Sequence, residues 1–292
     1  MANSPPLLKQ GATIGIIAPS SYYDKEQFST SISLLKNKGY KIVFHDQVDA
    51  QHNQFAGTPE EKLNALHDYF KNPHIDAIFT LVGGNGALHL LDKIDYNLIK
   101  QNPKILMGFS DVTALLNAIS SQIGLITYHG PTIASFSKIA TEDIDQCFDL
   151  LHNQTLNIPI PNDINTEGLL YGGNLSVFQA LIGTDYAPPL DKDLILFIED
   201  TNDHLSRYDR MIAHMKLAGW FKNVKAILVG EFLKSQDNPD RPFGMEIEEI
   251  IKTHTPNIPI VTDMPFGHGE RLITLPVGAK VLLKNSTLSY KS

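Results

Sequence analysis

Four short apolar runs constrain this chain more than any other feature. Thr13–Ala18, Tyr40–Phe44, Asp76–Val82 and Ile105–Met107 each have strand length, and helical patterns separate them. Glu26–Lys38 repeats apolar residues at helical spacing and closes on Gly39. Pro59–Lys71 starts with proline in its first turn and turns Leu63, Leu66 and Phe70 inward. Strand and helix in alternation, with strands apolar throughout, define a parallel sheet covered on both faces. Ligands of such sheets gather at the carboxyl ends of the strands. Pro19-Ser20-Ser21, Gly83–Gly86 and Ser110 all fall on that edge.

The fourth run carries the sharpest local signal. Val112–Ile119 reads as a helix with few polar positions, and only Gly108-Phe109-Ser110-Asp111 separates it from the strand. A serine on so tight a strand-to-helix turn is pushed out of the sheet, beside the first N–H groups of the helix. That is the physics of a nucleophile elbow, although the glycine-flanked form of the motif is absent. Helix capping by Ser110 or Asp111 is the plainer alternative.

A length of 292 residues favours two domains: 1–155 with the parallel sheet, a linker at 156–168 rich in Pro, Asn and Asp, and 169–292. In the second region Gly172-Gly173-Asn174-Leu175 is expected to open a helix running to Ile182. Leu194–Ile198 reads as a strand ending in Glu199-Asp200, and Arg207–Ala218 as a helix. Ala226–Val229 and Ile260-Val261 are further strands, Met245–Lys252 a helix, and Leu272–Pro276 with Lys280–Leu283 a closing strand pair.

A net charge of −8 with no basic run argues against nucleic acid. Cys147, the single cysteine, excludes an intramolecular disulfide and sits in a helical apolar pattern. The start of the chain carries no pattern of a signal peptide or membrane span, so a cytoplasmic protein without a membrane partner is expected. Gly83–Gly86 follow the third strand rather than the first, which disfavours a dinucleotide fingerprint and favours a turn whose N–H groups face an anion. The eleven histidines show no metal-ligand spacing, and neither metal nor cofactor is expected.

A serine hydroxyl needs a base, and the base an orienting acceptor. Glu199 at a buried strand end and His268 between Gly267 and Gly269 are candidates. Each also has a plain reading, as a strand-end carboxylate and as a surface-loop histidine. Four motifs in order then carry a resemblance: Gly108-Phe109-Ser110-Asp111-Val112-Thr113, Leu196-Phe197-Ile198-Glu199-Asp200, Arg207-Tyr208-Asp209-Arg210-Met211 and Pro265-Phe266-Gly267-His268-Gly269. They resemble the LD-carboxypeptidase family, the muramoyl-tetrapeptide carboxypeptidases of cell-wall recycling. Tyr128-His129-Gly130-Pro131, Gly172-Gly173-Asn174-Leu175-Ser176 and Gly230-Glu231-Phe232 also look like family landmarks.

The resemblance implies an α/β fold, with a Rossmann-like parallel sheet domain and a smaller C-terminal α/β domain whose sheet is barrel-like or mixed. It implies a homodimer acting on a small peptide. It implies Ser110 as nucleophile, His268 as base, Glu199 as orienting acid, and an oxyanion hole from the N–H groups of Asp111 and Gly84. Gly83, Asn85, His129, Arg207 and Arg210 are the candidate substrate contacts.

One departure concerns the substrate. Many murein-cutting members carry an arginine before the paired glycines, where this chain has Val82. An apolar residue there looks more like the branch conferring self-immunity to microcin-type peptide–nucleotide antibiotics. The aromatic loop of that branch has no counterpart, since Trp220, the only tryptophan, reads as core. The expected activity is release of terminal D-alanine from a murein tetrapeptide. The alternatives are a peptidyl-nucleotide or other small amide as substrate, and a non-catalytic ligand-binding protein.

Overall fold

The computed structural model describes residues 3–292. Its first half alternates β1 (Thr13–Ile17), α1 (Ser29–Asn37), β2 (Lys41–Phe44), α2 (Pro59–Lys71), β3 (Ala77–Thr80), α3 (Tyr96–Gln101), β4 (Ile105–Gly108), α4 (Thr113–Ile123), β5 (Thr127–His129) and α5 (Thr141–Asn153). The five strands lie parallel in the order β5-β4-β3-β1-β2. Local chemistry fixes the start of α2. Thr58 and Glu61 form a reciprocal capping box, with Pro59 in the first turn.

The second half contains β6 (Thr155–Pro159), β7 (Thr166–Asn174), α6 (Leu175–Gln179), β8 (Leu194–Thr201), α7 (Leu205–Leu217), β9 (Val224–Leu233), α8 (Ile247–His254), β10 (Ile260–Val261), β11 (Leu275–Val277), β12 (Lys280–Lys284) and β13 (Thr287–Lys291). The second sheet is mixed, in the order β10-β9-β8-β7-β12-β13-β6, and parallel only from β10 to β7. The α/β class, with a parallel sheet followed by a mixed one, is as expected.

Three expectations are corrected. The stretch 156–168 is not all linker, because most of β6 lies within it and pairs antiparallel with β13. Leu156 and Ile158 are buried while Thr155, Asn157 and Pro159 are exposed, the alternation of an edge strand, where proline is tolerated. Gly172–Asn174 end β7 instead of opening a helix, and the Asn174 side chain caps the short α6 by accepting from the Val177 N–H. The two closing strands do not pair with each other. β11 joins β5 antiparallel in the first sheet, whereas β12 joins β7 and β13 in the second. Gly278, at a φ of 83°, makes the turn that lets the chain change sheets.

The helix α4 ties the halves together. Thr113 through Ser120 are all buried, which accounts for the scarcity of polar residues in this run. Thr113 and Asn117 tie it to β7. Asn117 donates to the Thr113 carbonyl at 2.7 Å and the Gly172 carbonyl at 2.8 Å, and accepts from the Gly172 N–H at 3.1 Å. Thr113 Oγ1 accepts from the Asn174 N–H at 3.1 Å. Replacing Asn117 by alanine strands buried polar groups of both halves, and each such group costs about 1–3 kcal/mol. Asn117→Ala is therefore expected to lower unfolding stability by about 2–4 kcal/mol, read as a reduced urea midpoint with unchanged slope.

Candidate active site

Ser110 occupies the turn between β4 and α4 with a φ of 62°, in the left-handed region that non-glycine residues seldom adopt. Such a conformation costs about 1–3 kcal/mol and persists only where its surroundings enforce it. Phe109 before it is extended, and no side chain caps the short 3-10 turn at Ser110–Val112. Ser110 is therefore not a cap. Asp111 caps elsewhere, since its Oδ2 accepts from the Ala87 N–H at 2.8 Å.

The hydroxyl meets His268, on the loop between β10 and β11, and through it Glu199 of β8. Ser110 Oγ lies 3.1 Å from His268 Nε2, and His268 Nδ1 lies 2.7 Å from Glu199 Oε2. Glu199 is fully buried near the end of β8. A register shift between Ile198 and Asp200 falls at that point, the kind of irregularity that re-aims side chains. Asp200 turns away, accepting from Asn174 Nδ2 at 3.1 Å and the Ser176 N–H at 2.9 Å.

His268 rides on a loop held from two sides. The Glu231 N–H donates to the Phe266 carbonyl at 2.9 Å, fixing the loop to β9. Arg271 makes two 2.8 Å hydrogen bonds to the buried Asp143 carboxylate of α5, which also accepts from the Leu272 N–H at 2.8 Å. The Phe109 ring packs 4.9 Å from the imidazole. Burial of His268 pushes its pKa down. The hydrogen bond and charge of Glu199, with Asp200 and Glu231 behind, more than offset this and leave it above the ordinary 6.5.

Opposite the hydroxyl runs the Gly83–Gly86 turn. A Cβ on Gly83 would sit 2.7 Å from Ser110 Cβ and 2.8 Å from Oγ, so only glycine allows this approach. Among the described residues neither the Gly83 nor the Gly84 N–H has a hydrogen-bond partner, and both residues line the cavity beside Ser110. The buried Lys62 supports the turn from beneath, donating to the Gly86 carbonyl at 3.2 Å and lying over the Phe55 ring. Burial pulls the Lys62 pKa down while the Asp111 carboxylate raises it.

The cavity measures about 250 Å³. Its walls include Val82, Gly83, Gly84, Lys138, His268 and Leu272. The structure thus brings Ser110, His268, Glu199, the paired glycines and the Asp111 backbone N together, and places Asn85, His129, Arg207 and Arg210 outside. Asn85 is exposed and does not line the cavity, its N–H taken by Ser21 Oγ at 3.1 Å. His129 is fully buried among Phe109, Phe197 and Phe266, and burial, with help from His268, pushes its pKa down to about 3.

Arg207 pairs with Asp203 at 3.2 Å, and Arg210 lines a separate depression with His204 and Arg241. The reason is helical periodicity. Tyr208, Met211, Ile212 and Met215 are the buried face of α7, so Arg207 and Arg210 face solvent. Sequence reasoning missed Lys138, which follows no motif, and the Asp143–Arg271 pair, whose members lie far apart in the chain. Trp220 is core, as expected. Among the described residues no cluster of His, Cys, Asp and Glu is placed to hold a metal ion, and no helix is long and apolar enough to cross a membrane.

A serine on a strained elbow, backed by a histidine and a carboxylate and faced by free N–H groups, is the arrangement of a serine hydrolase. The LD-carboxypeptidase N-terminal domain matches residues 14–130 and the LD-carboxypeptidase C-terminal domain residues 167–283, and the chain belongs to this family. The probable murein peptide carboxypeptidase of Bacillus subtilis is 28% identical over 97% of this chain and 92% of its own length. The muramoyltetrapeptide carboxypeptidase structure from Oxalobacter formigenes has a TM-score of 0.87 at 27% identity, covering 96% of this chain and 99% of that one. MccF in complex with glutamyl sulfamoyl guanosine has a TM-score of 0.89 at 26% identity, covering 99% and 98%.

Gly83→Ala tests the close approach. Gly83 has no positive φ, so the methyl group brings a collision with Ser110 rather than backbone strain. Labelling of Ser110 by a fluorophosphonate is expected to slow at least tenfold, whereas the thermal midpoint stays within about 5 °C.

Proposed function

We propose that the chain is a serine carboxypeptidase that hydrolyses an L–D peptide bond, releasing the terminal D-alanine of a murein tetrapeptide in cytoplasmic cell-wall recycling. The observation that carries this reading is the hydrogen-bonded chain Ser110–His268–Glu199, assembled across the two sheets on the elbow turn. Membership of the family and the murein peptides in the names of its relatives point to the substrate class.

In this reading the Ser110 oxygen attacks the carbonyl carbon of the scissile bond, and His268 Nε2 takes the hydroxyl proton. Glu199 accepts from Nδ1–H, which fixes the tautomer and balances the positive charge that develops on the ring. The N–H groups of Asp111 and Gly84 receive the oxyanion. Collapse of the adduct breaks the C–N bond, and the departing amine takes its proton from His268. Water then gives a proton to His268 and attacks the acyl ester; His268 passes that proton to the Ser110 oxygen as the ester C–O bond breaks, releasing the acid and restoring the free serine.

A second reading keeps these steps and takes a peptidyl-nucleotide amide as substrate. The apolar Val82 in the cavity wall favours it, together with the likeness to MccF. The small cavity weighs for the first, since among the described residues Phe109 is its only Phe, Tyr or Trp lining residue and offers little stacking surface for a base. A panel of L–D peptides, their L–L counterparts and an aminoacyl sulfamoyl adenosine decides the matter. Release of D-alanine from the L–D set alone supports the first reading; cleavage of the sulfamoyl compound alone supports the second.

Ser110→Ala is expected to abolish this turnover, down to the roughly 10³–10⁴-fold over water that oxyanion contacts and binding sustain. Glu199→Gln presents an amide to Nδ1 and favours the wrong tautomer, so kcat is expected to fall by roughly 10²–10⁴-fold at similar KM. The pH profile follows from His268. A protonated ring cannot accept the serine proton, and the ring's pKa lies above 6.5. The acid limb of kcat/KM is therefore expected above pH 6.5, with activity rising toward alkaline pH. A limb at or below 6.5 contradicts His268 as the base.

A further inference from the structure

The inference below rests on the carboxypeptidase reading and concerns how such an enzyme finds the end of its substrate. A terminal carboxylate loses water on entering a cavity and must be repaid by a cation or by several N–H groups. Among the described residues the Ser110 cavity has no acidic side chain in its walls, and only His268 and Lys138 carry or can acquire positive charge there. Both His268 nitrogens are already committed, to Glu199 and to Ser110. Arg207 and Arg210 lie outside.

The turn that presents Lys138 is fixed on every side. The Ile133 and Ala134 N–H groups donate to the Thr80 and Leu81 carbonyls at 3.0 Å each, just before Val82-Gly83. The Ser137 N–H donates to Ser31 Oγ at 3.1 Å, and the Lys138 N–H to the Ser135 carbonyl at 2.8 Å. The Ala140 N–H donates to the Glu270 carbonyl at 2.9 Å, two residues past His268. One short segment therefore spans the glycine turn and the histidine loop. The ammonium itself is uncommitted: none of the salt bridges among the described residues involves Lys138.

We infer that Lys138 pairs with the C-terminal carboxylate of the substrate and so confines the enzyme to the last peptide bond. A compact ammonium on a four-carbon stem suits this task, since it follows the carboxylate without demanding a fixed fork geometry. Ala134, Ile139 and Leu272 supply the apolar wall for a small terminal side chain.

The experiment compares N-acetyl-L-lysyl-D-alanine with its C-terminal amide. Wild type, Lys138→Met and Lys138→Arg are each first confirmed as folded by their melting curves. Wild type is expected to prefer the acid. In Lys138→Met, kcat/KM for the acid falls roughly 10- to 100-fold, carried mostly by KM, and the acid-to-amide preference collapses. Lys138→Arg retains most of that preference. A wild type that cleaves neither compound overturns the carboxypeptidase reading, and this inference with it. A wild type without acid preference, or Lys138→Met with the preference intact, overturns this inference alone.

Discussion

The site depends on a buried charge. Glu199 has no exposed surface, and among the described residues only one of its oxygens has a partner, the Nδ1 of His268. Bringing a carboxylate so deep costs several kcal/mol, which only a close and well-directed partner offsets. The partner must come from a distant loop, so β8 and the 264–272 segment cannot settle independently. Ser110 adds a third element from the other sheet. The strain at its backbone is held by β4 below, α4 behind and Gly83 in front. The packing of α4 against β7 is thus a condition of the catalytic geometry as well as of stability.

Much of this was readable from residue order. The apolar runs that became β1, β3 and β4 announced a parallel sheet, because strands buried on both faces leave no polar alternation. Ser110, Glu199 and His268 were marked by context: a turn too short for a loop, a carboxylate closing an apolar strand, an imidazole between glycines. Their convergence was implied by the family resemblance but was not legible in local pattern, because it depends on how α4 packs on β7, a contact between residues far apart in the chain. The same holds for β11, whose Leu275 and Val277 look like half of a hairpin but complete the first sheet. β6 was hidden by its Pro and Asn residues, which an edge strand accepts and a central one refuses.

The misplaced arginines carry a different lesson. Arg207 and Arg210 belong to a recognisable motif, yet the pattern of Tyr208, Met211, Ile212 and Met215 already turns them outward. Helical period outranks proximity in the chain when a side chain is assigned to a cleft. His129 fails as a substrate contact for a related reason. Its strand is covered on both faces, so the ring is walled in by aromatics and kept neutral.

Charge placement around the cleft follows one scheme. Glu199, Asp200 and Glu231 all act on His268, yet none of them lines the cavity. They hold the ring's pKa up from behind while leaving the substrate's side free of acid. That separation matters in a protein with a net charge of −8, whose overall field repels anions. A peptide terminus approaching Ser110 meets that repulsion until it reaches a local cation, and its carboxylate cannot draw on His268 without competing with Glu199 for the same ring. A second cation in the same cavity resolves the conflict, because it gives the terminus a partner other than the imidazole and leaves Nε2 facing the serine. On the inference drawn above, Lys138 holds the carboxylate while a neutral His268 stays free to take the Ser110 proton, so charge recognition and proton transfer fall to different residues of one cavity.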